Sequence, residues 1–354
     1  MNYNINQCTV TLTRNCNLRC SFCYAKRASY KKNDTISLEQ LKKLINFCSE
    51  SKIKYLVFTG GEPTLYDELL QALRYIQDNK KKIIPTMASN GLMFSDKVFA
   101  KKLVLSGLSY IDISLKGTSE SDCIKNVGVN CWDKQVQAIR NLSELDVEFT
   151  CSMVITRENV NSYCKAIRQA KINGAKQFSF TFIIDNEESI HQNTEYLEYN
   201  NPFELIDNFI YTIEELNSIT KEWWIEFSFP LCFFTKKQLC KLTGRLAAPC
   251  HVRQLNGITF DTNLNLIPCN MFFDKKLEKF EQDFASYSQF LEIIEIGRYR
   301  AQLDYINTYP SSDCKKCEYL DDCKGGCPIT WKNYDFDSMK SFRDKFRKIN
   351  VNVK

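Results

Sequence analysis

The feature that most constrains the fold is a regular alternation of short apolar runs with longer segments of helical period. The apolar runs are rich in β-branched residues and have the length of strands. They are residues 9–13, 54–60, 82–89, 109–115, 147–156 and 177–184. Helices are predicted between them, near residues 38–51, 67–79, 96–106, 133–145 and 159–172. This order predicts an α/β fold with a parallel sheet, either an incomplete (β/α) barrel or an open doubly wound sheet.

Local signals support two of the helix ends. Ser37 followed three residues later by Gln40 has the pattern of a capping box before the first helix. The pair Asn173 and Gly174 predicts the end of the fifth helix, because both residue types adopt left-handed backbone conformations readily. In either architecture the functional loops follow the C-terminal ends of the strands.

The alternation is interrupted after residue 185. A polar stretch leads into a helix predicted at 202–218, and an aromatic segment with a second helix near 235–244 follows. We interpret this part as a bridge to a second, cysteine-rich module. The predicted organisation is a core at 1–185, a bridging segment at 186–248, a cysteine-rich module at 249–335 and a C-terminal tail at 336–354.

Composition narrows the function classes. The net charge is only +5 and the basic residues are scattered, so we expect no nucleic-acid partner. No signal sequence is evident and no stretch approaches the roughly 18 apolar residues of a membrane span, so we expect a cytoplasmic protein without a membrane partner. The chain has 17 cysteines and two histidines. In a reducing compartment, thiolate-rich sites favour zinc or iron–sulfur clusters over disulfides.

Three cysteines follow the first strand at the spacing CxxxCxxC: Cys16, Cys20 and Cys23. Three thiolates can hold three corners of a cubane cluster and leave the fourth iron open. A structural zinc site would normally be closed by a fourth protein ligand, and no Cys or His lies nearby in sequence. This motif, with Phe22 before its last cysteine, resembles the signature of the radical SAM superfamily.

Four further motifs follow successive strands in the same order as in that superfamily. They are FTGGEP at 58–63, ASNG at 88–91, ISLKG at 113–117, and the end of the fifth strand with Thr156 and Asn159. The resemblance spans residues 9 to about 184. It implies a partial (β/α)6 barrel similar to a TIM barrel, which would decide between the two architectures.

The resemblance also implies the cofactors and their ligands. Cys16, Cys20 and Cys23 would bind a [4Fe–4S] cluster whose open iron takes S-adenosylmethionine. Glu62 would accept hydrogen bonds from the methionine amino group of that molecule. The residues implied to contact the cofactor are Phe22, Gly60, Gly61, Glu62, Ser89, Asn90, Ser114 and Ser152. The implied chemistry is formation of a 5′-deoxyadenosyl radical that removes a hydrogen atom from the substrate.

A second set of cysteines lies near the C-terminus: Cys314, Cys317, Cys323 and Cys327, spaced CxxCxxxxxCxxxC. Upstream, Cys250 and Cys269 flank two short runs about a DTN turn, which predict a β-hairpin. This arrangement resembles the SPASM extension of radical SAM enzymes. The family usually has a glycine five residues before the second hairpin cysteine, where this chain has Leu264.

The SPASM resemblance implies one or two auxiliary [4Fe–4S] clusters. Cys250, Cys269 and Cys327 would hold one cluster, and Cys314, Cys317 and Cys323 the other, which leaves each set one ligand short. For the first set, Cys232 or Cys240 could supply the missing ligand. The second set could use a non-cysteine ligand, keep an open iron or hold no cluster. The alternative is one structural zinc bound by the four cysteines at 314–327.

The resemblance further implies a ribosomally made precursor peptide as substrate and an electron donor such as flavodoxin or ferredoxin. The leader of such a peptide would be recognised by the catalytic body, by residues 186–248 or by a separate peptide-recognition protein. The modification itself, whether a thioether, a carbon–carbon or carbon–oxygen cross-link, or an epimerisation, is not encoded in any motif. Epimerisation would need a hydrogen donor, for which Cys151 and Cys232 are the main candidates and Cys123 and Cys131 are further ones.

Two other functions remain open from the sequence. One is a radical enzyme similar to a sulfatase-maturing enzyme, or one that acts on a small metabolite. The other is a non-catalytic iron–sulfur or zinc scaffold that binds peptides.

Overall fold

The core of the protein is one nine-stranded sheet with helices packed against it. The structure, a computed structural model, describes residues 4–25, 33–184, 201–226, 229–306, 308 and 310–351. The strands of the sheet are β1 Gln7–Thr13, β2 Tyr55–Gly60, β3 Ile84–Ser89, β4 Tyr110–Leu115, β5 Glu148–Ile155, β6 Gln177–Phe182, β7 Trp223–Ile225, β8 Gly257–Phe260 and β9 Leu266–Ile267.

The helices fall into two groups, those between the strands of the barrel and those around the C-terminal cysteines. The first group comprises α1 Leu38–Glu50, α2 Leu69–Asp78, α3 Lys97–Leu105, α4 Glu120–Val127, α5 Trp132–Glu144, α6 Tyr163–Ile172 and α7 Pro202–Ile219. The second group comprises α8 Lys236–Lys241, α9 His251–Gln254, α10 Tyr287–Ile296, α11 Arg298–Ile306, α12 Leu320–Cys323, α13 Pro328–Asn333 and α14 Phe336–Val351.

The order of the strands decides between the two predicted architectures. Strands β1 to β7 lie side by side in sequence order and all pair in parallel. A doubly wound sheet reverses direction partway through the strand order, whereas a barrel winds in one direction only. The α/β fold and its winding as a partial barrel are therefore confirmed.

Each barrel strand separates an apolar face from a polar one. In β4, Ile111, Ile113 and Leu115 are buried in the main hydrophobic core, while Asp112 and Ser114 lie on the opposite face. Register partners share a face, so Thr150 and Ser152 of β5 and Ser179 of β6 line the same side. Alternate residues of the strands thus build a barrel interior that is rich in hydroxyl groups.

The predicted helix signals are confirmed at both ends. Ser37 and Gln40 form a complete capping box at the start of α1. Asn173 ends α6, and Gly174 follows it with a φ of +104°. Helix α4 was not predicted. It lies in the connection after β4 and, as shown below, fixes the loop of the first cysteine motif through hydrogen bonds.

The strand and helix alternation continues beyond residue 185, contrary to the prediction. Helix α7 packs against α6, where the rings of Tyr163 and Phe209 stack with centroids 5.4 Å apart. Strand β7 then joins the sheet parallel to β6. The segment predicted as a bridge therefore contributes a seventh strand to the barrel. Most of the polar stretch before it, residues 185–200, lies outside the described residues.

The predicted hairpin in the C-terminal module is formed by β8 and β9, which pair antiparallel. Strand β8 also pairs in parallel with β1, so the module extends the barrel sheet. At the turn, Leu264 has a φ of +59°, in the left-handed region that favours glycine. This explains why the resembling family has glycine there. The side chain of Leu264 is buried in the core, which offsets the backbone strain.

Among the residues that the structure describes, no helix has both the length and the apolar composition needed to cross a membrane.

Candidate active site

Helix α4 holds the loop that carries Cys16, Cys20 and Cys23. The backbone N–H of Arg19 donates to the carbonyl of Val127 at 3.1 Å, and that of Ser21 donates to Asn126 at 2.8 Å. These carbonyls belong to the last turn of α4, where they have no partner within the helix. The hydrogen bonds fix the course of the loop and satisfy the helix end at the same time.

A small apolar cluster lies beneath this loop. Leu18 is buried against Leu92 and Val127, and the side chains of Cys16 and Cys20 pack against the cluster. The backbone N–H of Leu18 points at the Cys16 sulfur, 3.4 Å away. The loop is thus anchored from below, and its three cysteines remain half-buried.

Burial favours the protonated thiols of Cys16 and Cys20 while no metal is bound. Burial raises the pKa of Cys16 to about 11, against the opposing effect of the Leu18 amide. Burial also raises the pKa of Cys20, and the ammonium of Lys116 opposes that shift. Metal ions bind the thiolate, so assembly of a cluster here must release protons.

Gly60 and Gly61 were predicted to let the backbone approach a ligand, but what they approach is the cysteine loop itself. A Cβ atom on Gly61 would lie 2.3 Å from the carbonyl oxygen of Asn15 and 2.7 Å from that of Arg14. A Cβ on Gly60 would lie 2.3 Å from the carbonyl oxygen of Thr13. The Gly61 N–H donates to Thr13 at 2.7 Å. The two glycines therefore join the end of β2 to the base of the loop.

Glu62 is fixed in the same corner by a network of hydrogen bonds and is 1% exposed. Its Oε1 accepts from Ser89 Oγ at 2.7 Å, and from the backbone N–H at 3.1 Å and hydroxyl at 2.6 Å of Thr64. In the part of the chain that the structure describes, its Oε2 accepts one hydrogen bond, from Asn90 N at 2.7 Å. A carboxylate oxygen accepts more than one donor, as Oε1 does here. The Oε2 atom can therefore accept a further hydrogen bond from an amine.

Asn90 links the end of β3 to the cysteine loop. Its Nδ2 donates to Asn17 Oδ1 at 2.7 Å. Its own carbonyl accepts a hydrogen bond of 2.7 Å from Gln135 of α5, which also donates to the Ser114 carbonyl and accepts from Lys116 N. Gln135 is 1% exposed and ties together the ends of β3 and β4. The sequence analysis missed Gln135, because one amide on an amphipathic helix gives no signal.

Lys116 is a buried cation beside the proposed cofactor residues. Its Nζ donates to Ser114 Oγ at 2.7 Å and lies 5.7 Å from the centre of the Phe22 ring. Ser114 and Ser152 are register partners on the inward face of β4 and β5. Lys116 thereby links Phe22 with Ser114, and Ser152 lies beside Ser114 on the neighbouring strand. Lys116 lies within the ISLKG motif, but the resemblance does not imply a role for it in the site.

Cys151, a predicted hydrogen donor, does not face the barrel interior, where such a donor would have to lie. Cys151 lies on β5 between Thr150 and Ser152, and both of these neighbours face the barrel interior. Cys151 therefore faces the other way and is fully buried in the main hydrophobic core. Cys123 and Cys131 are buried beneath the cysteine loop. Strand alternation turns Cys151 toward the helices, so the proposal that it donates hydrogen to a substrate is withdrawn.

Asp112 is an inward-facing carboxylate that the sequence analysis overlooked. Its Oδ1 is buried and has no hydrogen-bond partner among the described residues. Burial is the main cause that raises its pKa from 3.8 to about 6, and the charge of Glu226 adds to the shift. The Ser152 hydroxyl and the Lys116 ammonium oppose the shift. A single charged residue within the apolar run YIDISL was the available signal. A carboxylate that is buried inside a barrel with an unpartnered oxygen is a candidate functional group.

Asp112→Asn is expected to stabilise the protein, and more so at pH 8 than at pH 5. The raised pKa means that the folded protein binds more protons than the unfolded chain, whose Asp has a pKa of about 3.9. Stability is therefore lost as pH rises toward 6, by at most about 3 kcal/mol. Thermal unfolding of both proteins at the two pH values measures the effect. Asp133→Asn, an exposed site on α5, controls for the loss of one charge; an equal gain at both pH values would contradict the assignment.

The six C-terminal candidate ligands separate into two groups. Cys250, Cys269 and Cys327 each immediately precede a short helical turn. Burial raises the pKa of Cys327 to about 12, Cys250 adds to the shift, and the backbone N–H groups of Ile329 and Thr330 oppose it. Backbone amides likewise oppose the raised pKa values of Cys250 and Cys269. Three thiols with amides directed at them form a donor set suited to an iron–sulfur cluster.

The other group consists of Cys314, Cys317 and Cys323, and Cys232 lies with them. All four line one cavity. This corrects the expectation that Cys232 could complete the set of Cys250, Cys269 and Cys327. Cys240, the other candidate, is exposed on α8.

The alternative of a single zinc finds no support in this arrangement. Within the described parts of the chain, no three or more Cys, His, Asp or Glu side chains are arranged to hold one metal ion. All 17 cysteines are described, and all are free thiols. Cys327, the fourth proposed zinc ligand, is absent from the lining of the cavity that holds Cys314, Cys317 and Cys323.

Comparison with known proteins identifies the first half of the chain. Residues 10–170 match the Radical SAM superfamily, and this range holds the cysteine loop, Glu62, Asn90, Ser114 and Ser152. This part of the chain is a radical SAM domain. Enzymes of this superfamily use a [4Fe–4S] cluster and S-adenosylmethionine.

The curated relatives match less than half of this chain. Fe-coproporphyrin III synthase of Methanosarcina barkeri is 29% identical over 149 residues, which are 42% of this chain and 37% of that protein. A probable GTP 3′,8-cyclase of Saccharolobus islandicus is 28% identical over 169 residues, 48% of this chain and 54% of that protein. The match thus spans about half or less of the length of these relatives.

Solved structures share the fold of nearly the whole chain. Native anSMEcpe with bound AdoMet has a TM-score of 0.70 at 20% identity and covers 98% of this chain and 100% of that one. Streptococcus suis SuiB bound to S-adenosylmethionine has a TM-score of 0.69 at 15% identity, covering 95% of this chain and 78% of that one. Both are radical SAM enzymes with SPASM-type domains, and the cysteine-rich C-terminal part of this chain fits that fold.

Proposed function

We propose that this radical SAM protein removes a hydrogen atom from a ribosomally synthesised peptide and thereby modifies it after translation. The observation that carries the proposal is the corner formed by Glu62 and the cysteine loop at the mouth of a polar barrel. There, Glu62 Oε2 has capacity for an amine, and three half-buried cysteines lie on the loop that hydrogen-bonds to the Glu62 backbone, 2.7 Å from Glu62 N to Asn15 O.

The residues have distinct roles in this proposal. Cys16, Cys20 and Cys23 hold the cluster, and Glu62 binds the amino group of S-adenosylmethionine. Gly60, Gly61, Ser89 and Asn90 position Glu62 and the loop, as their contacts show.

In this proposal Ser114, Ser152 and Phe22 border the space for the cofactor. The ammonium of Lys116, which contacts Ser114 and Phe22, places a positive charge beside that space. When bound, the two cofactors supply a carbon-centred radical able to break an unactivated C–H bond. The protein's own contribution is to hold them in an enclosed, polar barrel interior that limits access of water.

Two observations support a peptide as the substrate. The fold matches anSMEcpe and SuiB over nearly the whole chain, and structures of those proteins hold the Cp18Cys peptide and the precursor peptide SuiA, respectively. The chain also carries two further cysteine groups outside the barrel, in a module of the same fold as theirs. Reduction would come from a donor such as flavodoxin or ferredoxin.

A second candidate is a radical enzyme that acts on a protein side chain, as a sulfatase-maturing enzyme does, or on a small metabolite. The likeness of the barrel to Fe-coproporphyrin III synthase and GTP 3′,8-cyclase favours the metabolite form, since both names denote small-molecule chemistry. A non-catalytic scaffold is the third alternative, and cleavage of S-adenosylmethionine distinguishes it from both enzymes.

The test is anaerobic reconstitution followed by reduction, with and without peptide. The peptide to be tested is the product of any short open reading frame found beside the gene. We expect about eight to twelve irons per chain and release of 5′-deoxyadenosine, which the peptide increases. Mass spectrometry of the peptide then reads the outcome, because a cross-link removes two hydrogens whereas epimerisation leaves the mass unchanged and incorporates solvent deuterium. Cleavage without any peptide modification would favour the second candidate, and no cleavage would favour the scaffold.

A further inference from the structure

We propose that Cys232 is the fourth protein ligand of an iron–sulfur cluster whose other ligands are Cys314, Cys317 and Cys323. The four cysteines line a single cavity of about 180 Å³. Cys232 lies in a short helical turn, Leu231–Phe233, that follows β7, whereas the other three lie in the segment around α12. Two distant parts of the sequence therefore meet at this cavity.

The two segments are docked against each other at short range. The backbone N–H of Leu231 donates to the Cys323 sulfur at 3.3 Å. A Cβ atom on Gly326 would lie 2.8 Å from the nitrogen of Pro230 and 3.0 Å from its Cα. Glycine at this position allows the backbone after Cys323 to contact the backbone before Cys232. The two glycines of the run CKGGC are therefore needed for structural reasons. Both have positive φ, which glycine adopts without strain.

Aromatic packing and a cation hold the Cys232 turn from the other side. The Phe233 ring contacts Trp331 at 5.9 Å and Phe203 at 5.2 Å between centroids. Arg343 of α14 donates from Nη1 to the Cys232 carbonyl at 3.3 Å. The position of Cys232 is therefore set by α7, α13 and α14 together.

The size of the cavity favours a cluster over a single ion. A volume of about 180 Å³ equals that of roughly six molecules of liquid water, at about 30 Å³ each. A zinc ion takes its sulfur ligands at about 2.3 Å, and in the described ranges of the chain no three Cys, His, Asp or Glu side chains are arranged to hold one metal ion. A cubane cluster places its thiolates farther apart, and the cavity that the four cysteines border has room for such a core, for which cysteine thiolates are the usual ligands.

This ligand set resolves the shortage that the sequence presents after Cys327. The full pattern of the resembling SPASM family has a further cysteine after the four-cysteine run, and none lies between Cys327 and Lys354. Cys232 reaches the same cluster from the upstream side. All four positions of this cluster are then filled by protein, which suits it to carry electrons and leaves it no open iron for a substrate. Cys250, Cys269 and Cys327 remain a set of three.

The inference rests on the iron–sulfur part of the proposed function and is tested by iron content, without reference to activity. After anaerobic reconstitution, Cys232→Ala is expected to lose up to about four irons per chain or to change the electron paramagnetic resonance signal of one auxiliary cluster. Cys240→Ala, which removes an exposed cysteine of the neighbouring helix, should match wild type. The double variant Cys232→Ala with Cys317→Ala should lose no more iron than Cys317→Ala alone, because both ligands serve one cluster.

Alkylation of the wild-type protein tests the same assignment without any variant. In the reconstituted protein, Cys232 should resist iodoacetamide, and after iron chelation it should react, whereas Cys240 reacts in both states. Peptide mapping by mass spectrometry measures this. Wild-type iron and spectrum in Cys232→Ala, additive losses in the double variant, or equal Cys232 alkylation with and without iron would each overturn the inference. If Cys16→Ala lowers iron while Cys232→Ala does not, this inference fails and the proposed function stands.

Discussion

Cys16→Ala is expected to lose about four irons per chain and to reduce cleavage of S-adenosylmethionine to the background of the mixture without enzyme. The physical reason is that the loop offers only three thiolates, so removal of one leaves the cluster with two protein ligands. The variant loses the contact of the Cys16 sulfur with the Leu18 cluster and the Leu18 N–H. The backbone hydrogen bonds from Arg19 and Ser21 to α4 do not depend on that side chain, so the loop should keep its course. Iron analysis and chromatographic measurement of 5′-deoxyadenosine report the two effects.

Cys48→Ala provides the matched control for the loss of a thiol. Cys48 is fully buried in α1 within the main core, away from the three cysteine groups. Its iron content and cleavage rate should equal those of wild type. Full cleavage activity in Cys16→Ala would show that the proposed cluster site is wrong.

The second large effect is expected from Gly61→Ala. The added Cβ would overlap the carbonyl oxygens of Asn15 and Arg14, and backbone atoms cannot turn aside as a flexible side chain can. We expect a loss of about 3 kcal/mol in the free energy of unfolding. We also expect at least about a tenfold rise, or 1.4 kcal/mol, in the dissociation constant of S-adenosylmethionine. The binding effect arises because the Glu62 N–H donates to Asn15, so displacement of the loop also displaces Glu62.

Thermal unfolding and equilibrium binding to the reconstituted protein measure both changes. Gly257→Ala is the control, since a Cβ at that position would meet His251 only at 3.4 Å, an ordinary contact distance. If Gly61→Ala bound the cofactor as wild type does, the glycine would not be needed to join β2 to the loop.

Much of the barrel could be predicted because its signals are local. Apolar strand runs, the capping box at Ser37 and the turn at Gly174 each depend on neighbouring residues, and all are present in the structure. The cysteine loop and Glu62 could also be predicted, because each belongs to a short motif that directly follows one strand. The departure at Leu264 was visible in the sequence, but its cause, a left-handed backbone, appeared only in the structure.

The rest depends on contacts between distant parts of the chain. The pairing of β5 with β4 and β6 decides which of its faces lines the barrel interior. The alternation of Cys151 with Thr150 and Ser152 gives the strand two faces but does not by itself say which one is the inner face. Gln135 joins strand ends that lie 19 or more residues away in sequence. The contact of Leu231, the residue before Cys232, with Cys323 crosses 92 residues, and no spacing rule reaches across such a gap.

The position of β1 has a consequence for how the chain acquires its fold. Strand β1 is flanked by β2 on one side and by β8 on the other, and β8 begins at Gly257. During synthesis β1 leaves the ribosome well before β8 is made, so one row of its backbone N–H and C=O groups stays unpaired in the meantime. An unpaired strand edge invites pairing with another chain, and contacts of such long sequence separation form slowly. We therefore expect the nascent barrel to be prone to aggregation until the C-terminal module arrives to cover that edge.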